Sequence, residues 1–540
     1  MADDGLAGAS VIGQGRESGV RAAEHGPSGP RGSGAGDAVG VALGSTQSNC
    51  WARLAEVDRR RVRWAARARL WDASSLWAVR TCGRHIVPVA ERTEHGAVPV
   101  ERHGVEVRRR ELETGPVAGY AGLTLCGSVW ACPRCSAVIA WQRSAEIARA
   151  VRRCQEDGGQ TFFLTLTLRH RVSDELADLW GLLGKGWRAV VGCEAWSGRA
   201  PRERAHKSGA RRLVPGVMGD RERFGIAGVV RVVEATVSRP GSGGHGWHLH
   251  VHALLFAAGG LSTGLCADWS ARLAAMMGRH AAVDPEWLGR VALSSRISAR
   301  FTGAVGKAGG RVPGVAAVDL RRIEDGGAEY VGSYLAKSTY DVAVRLGAEV
   351  ATGEQTKTVR ETRNLSPFEL LADAVTTERF GFPTPRHWEI SMTGRGRFEL
   401  VDTDTGEVRE LVPPALWALW LAWEQGSSGR RQIGWSQRPR TFGGCPKSRP
   451  AAADAAAVEA LDVLWLTILD ARGETADKTD EDVARAELDG LTLGMIPRAD
   501  WYGRMVWHPS WLVEALEAAE SGGLKELRKW AKTNGVELSA

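Results

Sequence analysis

Several things are scarce or missing in this chain, and each absence removes a class of function. No run of about 18 apolar residues occurs, so no membrane-spanning helix is expected. The first residues, "MADDGLAGASVIGQGRESGV", put acids where a signal peptide carries positive charge and offer no apolar core, so a cytoplasmic protein is expected. No G-x-x-x-x-G-K-[ST] phosphate loop is present: "GLLGKGW" (181–187) and "GAVGKAGG" (303–310) lack its spacing and its hydroxyl. A built-in P-loop ATPase or helicase is therefore not expected. Cysteine numbers nine, an odd count. In a cytoplasmic chain that argues against a disulfide framework, and for metal ligation wherever thiols cluster. Tyrosine is rare, five in 540 residues, and no internal repeat is visible.

What is present is ordinary in bulk. Hydrophobic residues make up 44% and charged residues 25% of 540, enough chain for three or four domains at about 100–200 residues each. The net charge of +7 suits a polyanionic partner such as nucleic acid. Residues 1–48 are rich in Gly, Ala and Ser and read as a disordered arm. Residues 49–155 hold a basic amphipathic helix and then most of the clustered cysteines. Residues 156–346 alternate strands (161–170, 224–237, 247–258, 315–323) with helices (174–191, 263–280, 327–346). Residues 347–540 read as a mainly helical C-terminal domain, with blocks at 413–424, 452–471, 480–488 and 508–533. The fold class expected is α+β.

The densest chemistry lies in "GHGWHLHVHALL" (244–255). A strand turns side chains with period two, so His248, His250 and His252 share one face, and Leu249 and Val251 take the other with Leu254 on or near it. Two imidazoles at i and i+2 can hold one divalent ion. Glu234, on the strand before the Gly-rich turn 238–246, can reach across as a further ligand. Imidazole and carboxylate suit Mn, Co, Ni or Zn by affinity, with Mg or Mn in a cell when a phosphate completes the shell. The bland alternative is a polar strand face.

"EYVGSYLAK" (329–337) sets Tyr330, Tyr334 and Lys337 at i, i+4 and i+7, on one face of a helix. A phenol with a pKa of about 10 is a poor nucleophile unaided. A neighbouring cation and a metal that polarises a phosphate both assist its attack. The alternative is a pair of amphipathic core tyrosines. Upstream, Cys126, Cys132 and Cys135 in "CGSVWACPRC" have the look of a zinc knuckle, with Pro133 fixing the turn; Cys82 or His85 can supply the fourth ligand. Reduced buried thiols are the rival reading.

Taken in order, "FFLTLTLRH", "GWHLHVHALL" and "YVGSYLAKS" resemble the three motifs of rolling-circle replication initiators of the HUH endonuclease superfamily, closest to the streptomycete plasmid group. "LTLCGSVWACPRC", "RNLSPFELLADA" and "SGRRQIGWS" extend the likeness over roughly residues 78–440. The resemblance implies a catalytic domain with a central antiparallel sheet and flanking helices. It implies a metal pair at His250 and His252, with His248 or Glu234 as third ligand, and a Cys at position 82 in the zinc module. Tyr334 would attack a phosphodiester at a single-stranded nick site in a plasmid origin, forming a 5′-phosphotyrosine and freeing a 3′-OH primer. A Mg²⁺ or Mn²⁺ ion would serve that site and Zn²⁺ the cysteines. Some relatives carry a Glu four residues before the nucleophile, where this chain has Tyr330, so Tyr330 is either a second nucleophile, as in two-tyrosine members, or packing.

The partners implied are single-stranded and duplex origin DNA, a host helicase and a host DNA polymerase, with no membrane. The C-terminal region would recognise the origin duplex or form a homodimer. The Arg-rich loop 198–223 is expected to grip phosphates near the active site, and Trp435 in "SGRRQIGWSQRPR" to stack on a base or lie in a surface turn. Competing readings are a conjugative relaxase or HUH transposase, a non-catalytic zinc-containing DNA-binding regulator, and a metal-dependent phosphoesterase of small substrates.

Overall fold

The alternation of "TFFLTLTL" builds the strand around which the domain is organised. Phe162, Leu164 and Leu166 are fully buried on one face, while Phe163, Thr165 and Thr167 take the other. The computed structural model describes residues 61, 63–93, 96–111, 115–205, 209, 211–261, 284–323, 327–328, 364–380, 388–393, 397–436, 461, 463–469, 471 and 490–539. The N-terminal arm 1–48 and the helices expected at 263–280, 327–346 and 480–488 lie outside the described residues, save for positions 327–328.

The described strands, in chain order, are β1 (Val89–Thr93), β2 (Gly96–Val100), β3 (Gly104–Arg110), β4 (Val117–Ala121), β5 (Gln160–Thr167), β6 (Arg202–Ala205), β7 (Arg211–Val214) and β8 (Ile226–Val237). They continue as β9 (Trp247–Ala257), β10 (Val318–Arg322), β11 (Trp388–Thr393), β12 (Arg397–Asp402), β13 (Val408–Leu411), β14 (Ile433–Trp435) and β15 (Leu491–Pro497). The central sheet has the order β10-β5-β9-β8-β14 with every pairing antiparallel. The histidine strand, β9, is thus its middle strand. Both the antiparallel sheet and its flanking helices agree with the α+β expectation.

One face of this sheet packs under helices Leu176–Val191, Pro285–Lys307, Pro367–Thr377 and Ala415–Ser427. Leu249, Val251, Ala253 and Leu255 of β9 point into that core. The other face carries Val230, Val232, Leu254 and Phe256, covered by Ile147, Val151 and Cys154 of helix Pro133–Glu156 and by Leu464, Trp465 and Ile468. Leu254 therefore lies on the histidine face, as strict period two requires, and not opposite it.

The C-terminal region differs from a single mainly helical domain. Its described residues contribute β11–β15 as well as helices, and they divide between two cores. Helices Pro367–Thr377 and Ala415–Ser427 join the central sheet, and β14 becomes its edge. β15 instead pairs with β3 in the sheet β15-β3-β4, onto which helix Pro509–Asn534 packs. Period 3.6 is easy to see in the helices, whereas a short edge strand gains its identity only from a partner far away in sequence. Trp435 is likewise part of the interior: it packs 6.2 Å from Trp465. The base-stacking role expected for it is corrected accordingly.

The basic helix over 63–73 connects the cores. Ala66, Leu70 and Ala73 face the central core; Trp64, Ala68 and Trp71 face the β15-β3-β4 core. Both stripes run i, i+4, i+7, so the helix is buried on two sides. Next to it, Glu424 of helix Ala415–Ser427 is wholly buried and accepts hydrogen bonds from Ser74 Oγ (2.7 Å), Ser75 N (2.8 Å) and Ser75 Oγ (2.9 Å). Burial pushes its carboxyl up to about 7, against the pull of those donors. Among the described residues no helix is long and apolar enough to cross a membrane.

The folded state therefore holds a proton on Glu424 that the unfolded chain releases near its ordinary value, roughly pH 4.3. The stability contributed by this group is full below that value and is lost as pH rises through about 7. Denaturant midpoints measured across that interval should fall with pH in the wild type, and the fall should be smaller in Glu424→Gln.

Candidate active site and candidate metal centre

Register puts the site together. Across β8 and β9, Glu234 stands opposite His250, Thr236 opposite His248 and Val232 opposite His252. Across β5 and β9, Thr167 stands opposite His250 and Thr165 opposite His252. Side chains from three strands thereby share one face. The Oγ1 of Thr165 lies 3.2 Å from His252 Nδ1, and that of Thr167 lies 3.1 Å from His250 Nδ1. His252 Nε2 meets Glu234 Oε2 at 2.8 Å. The imidazoles form a row: His250 and His252 stack with centroids 5.7 Å apart, and His248 follows at 3.9 Å from His250. Phe163 stacks on His252 at 5.2 Å.

A fourth imidazole extends the row. His170, just beyond β5, lies 4.5 Å from His248 and donates through Nδ1 to the His245 carbonyl at 3.0 Å. Burial depresses its basicity, partly offset by that carbonyl. His248 is held down to about 3, first by burial and then by His250 and His170. It is a neutral ligand or acceptor at physiological pH. The residues expected at the metal site, His248, His250, His252 and Glu234, are thus neighbours on one sheet face. Tyr330, Tyr334 and Lys337 lie outside the described residues. Just before them, Ile323 and Ala328 are buried in the core on the histidine face of the sheet.

The cysteines close up tightly. Cys82 Sγ lies 3.6 Å from Cys132 Sγ and 3.7 Å from Cys135 Sγ, and Cys126 Sγ lies 3.7 Å from Cys135 Sγ. These are far from a disulfide bond length of about 2.05 Å. Four sulfurs at about 2.3 Å from a central zinc in a tetrahedron would be roughly 3.8 Å apart. The four thiols therefore fit a Cys₄ zinc site. Among the described residues they alone bring three or more His, Cys, Asp or Glu ligand atoms within 4.8 Å of one another. His85 is not among the four; it packs edge-on to Trp77 and Tyr502.

Local structure explains the knuckle. Cys132 is the N-cap of helix Pro133–Glu156 with Pro133 in its first turn, so Cys135 follows one turn on. Ser128 N donates to Cys126 Sγ at 3.4 Å. Gly83, after Cys82, has φ +64° and faces Arg67 so closely that a Cβ would lie 2.1 Å from its guanidinium. Arg67 is buried, donates to the Gly83 carbonyl at 2.9 Å and lies 3.9 Å over the Trp64 ring. Burial lowers its pKa to about 10, while the nearby thiols favour its charge. The cation offsets the negative charge of clustered thiolates.

Between the two centres runs a tryptophan cluster that single-sequence reading missed. Trp130, two residues from Cys132, meets Trp423 at 5.4 Å and Trp180 at 5.7 Å. Trp423 stacks on Trp247, the first residue of the histidine strand, at 5.4 Å. Trp423 Nε1 donates to the Trp130 carbonyl (2.8 Å), and Trp130 Nε1 to the Arg430 carbonyl (2.7 Å). His170, Thr165 and Thr167 were also missed as site residues, although the matched spacing of "TLT" and "HVH" carried a signal for the threonines.

The Arg-rich loop is a two-stranded ribbon, β6 paired with β7, with Arg202, Arg204, Arg211 and Arg212 exposed and Arg204 opposite Arg212. At its foot the buried Asp220 accepts from Arg296 (2.6 Å) and Arg300 (2.5 Å). The chain leaves it at the Ile226 end of β8. Glu234 lies eight residues further along that strand, roughly 26 Å at about 3.3 Å per residue. The foot of the ribbon is therefore at the far end of the strand from the histidines, a correction to the expected grip beside them.

The chain is 29% identical over 344 residues to a protein named Protein rep from Streptomyces lividans, a match covering 58% of this chain and 63% of that protein. It is 35% identical over 146 residues to a neomycin resistance protein from Streptomyces cyanogenus, covering 26% of this chain and 31% of that one. The chain thus spans less than two thirds of the length of either relative. No family model and no solved structure matches it.

Elemental analysis of the purified protein should give one zinc per chain. Cys132→Ser should lose that zinc and lower the thermal midpoint, because a structural zinc site contributes directly to folding free energy.

Proposed function

We propose that this chain is a plasmid replication initiator of the rolling-circle, HUH endonuclease kind, a cytoplasmic enzyme that nicks and rejoins one DNA strand at its origin. The observation that carries this reading is the register-built group of His250, His252, Glu234 and the paired threonines on one face of a central antiparallel strand. Similarity to Protein rep over more than half of the chain supports it.

His250 and His252, with Glu234 or His248 as third ligand, would hold Mg²⁺ or Mn²⁺. Bound there, the ion supplies Lewis-acid polarisation of a phosphate oxygen. The donor set fits: two imidazoles and a carboxylate meet on one face, with each Nδ1 engaged by a threonine. The Tyr334 oxygen attacks the phosphorus. The bond from phosphorus to the 3′ oxygen breaks, the phenolic proton ends on that oxygen, and a 5′-phosphotyrosine remains. Lys337 neutralises the phosphate or orients the phenol. Because the phosphodiester energy is kept in the tyrosyl ester, a later attack by a 3′-OH reseals the strand without ATP. Tyr330 is the second nucleophile or a packing residue. With no phosphate loop in the sequence, strand opening falls to a host helicase and extension of the primer to a host polymerase. The Cys₄ knot would hold zinc as a structural element.

Tyr334→Phe should reduce cleavage of single-stranded origin DNA at least about 1,000-fold. His250→Ala and His252→Ala should each lose metal-dependent cleavage while duplex binding persists. A non-catalytic regulator would bind duplex and never cleave, and a small-substrate phosphoesterase would keep its hydrolysis in Tyr334→Phe.

The ribbon supplies sequence-independent pairing of arginine with phosphate. Changing Arg202, Arg204, Arg211 and Arg212 together to Gln should weaken duplex binding and flatten its salt dependence, by about 0.9 in log–log slope for each phosphate no longer neutralised. An unchanged slope would remove the ribbon from the interface.

A further inference from the structure

The two threonines facing the histidines do more than fill the strand. With its ring neutral, His252 carries one proton. Its Nε2 lies 2.8 Å from Glu234 Oε2, and an ionised carboxylate only accepts, so the proton sits on Nε2. The lone pair is then on Nδ1, and the Thr165 hydroxyl, 3.2 Å away, donates to it. An ion held by Nε2 demands the opposite tautomer: Nε2 must offer its lone pair, and the proton must be on Nδ1. The same hydroxyl must then accept. Thr167 and His250 Nδ1, at 3.1 Å, stand in the same relation.

We propose that Thr165 and Thr167 are reversible hydrogen-bond partners that let His252 and His250 exchange tautomers when a divalent ion binds, with no movement of either ring. A hydroxyl can donate or accept at one geometry. A backbone carbonyl or carboxylate in that place would accept only, which favours the metal-binding tautomer but leaves the resting His252–Glu234 hydrogen bond in conflict. The proton count balances: each ring keeps one proton, which passes from Nε2 to Nδ1 through water as the hydroxyl turns. Spacing supports the pairing. "TLT" on β5 and "HVH" on β9 are both i, i+2 pairs, and antiparallel register sets Thr165 against His252 and Thr167 against His250. The threonines are positioning residues, and the inference rests on the metal site proposed above.

Mn²⁺ binding to the full-length protein, with its cysteine zinc retained and no DNA present, tests this by titration calorimetry. The Thr165→Val, Thr167→Val double variant should bind Mn²⁺ about 10–100-fold more weakly, the range typical for loss of a ligand's outer hydrogen bond. The double Ser variant should bind within a few-fold of wild type, because it restores the hydroxyl in a smaller side chain. If the Val variant folds poorly, Thr167→Val alone and its Ser counterpart carry the comparison. Wild-type affinity in a folded Val variant would overturn the inference, as would equal weakening by Ser and Val. The metal reading is tested separately by His250→Ala, His252→Ala: if that variant binds Mn²⁺ as wild type does, the ion is not on these histidines and the proposal for the threonines falls with it.

Discussion

The register of β5, β9 and β8 is the constraint on which the rest depends. A slip of one residue would turn every side chain to the opposite face. His248, His250 and His252 would enter the core, and Leu249 and Val251 would leave it. The observed register is held by burial: Leu249 and Val251 sit against one set of helices, Leu254 and Phe256 against the other. Fully burying such a side chain stabilises by about 1.5–3 kcal/mol, and a slip would forfeit several at once. Alternative pairings are therefore costly, and polar residues of three strands are kept on one face by the apolar residues between them.

Distant segments brace that register. The Cys₄ knot fixes the loop carrying Trp130; Trp130 packs on Trp423, and Trp423 stacks on Trp247 at the start of β9. Leu365 exchanges two backbone hydrogen bonds with Val237 at the end of β8, both at 2.8 Å, just before the capping box of Ser366 and Glu369 opens helix Pro367–Thr377. Glu424 ties that same region to Ser74 and Ser75. Motifs that looked like separate recognition elements in the sequence are, in the described structure, supports for the central sheet. Ile433–Trp435 is its edge strand and Arg430 lies 5.1 Å from the Trp180 ring.

Legibility followed the range of the forces involved. The strands at β5, β8, β9 and β10 were readable because period two is local, and Cys126, Cys132 and Cys135 because a thiol knuckle is a short motif. Cys82 joined them across a gap in sequence, and the structure brings it within 3.6 Å of Cys132. The tryptophan cluster was not readable: "LWALWLAW" is apolar on all sides, so periodicity cannot say which ring meets which neighbour. β15 was missed because its partner β3 comes from the other end of the chain. The double burial of the helix over 63–73 was hidden by its arginines, one of which, Arg67, is inside.

The most direct measurement is the position of the covalent bond. The protein is incubated with Mn²⁺ and single-stranded DNA from its own replicon, the product is digested, and any peptide–nucleotide adduct is sequenced by mass spectrometry. An adduct on Tyr334, absent in His250→Ala and His252→Ala, is the predicted result, and a second adduct on Tyr330 would identify a two-tyrosine enzyme. Cleavage without any tyrosyl adduct, or an adduct that forms equally well without the two histidines, would contradict a metal-assisted tyrosine nuclease built on this strand.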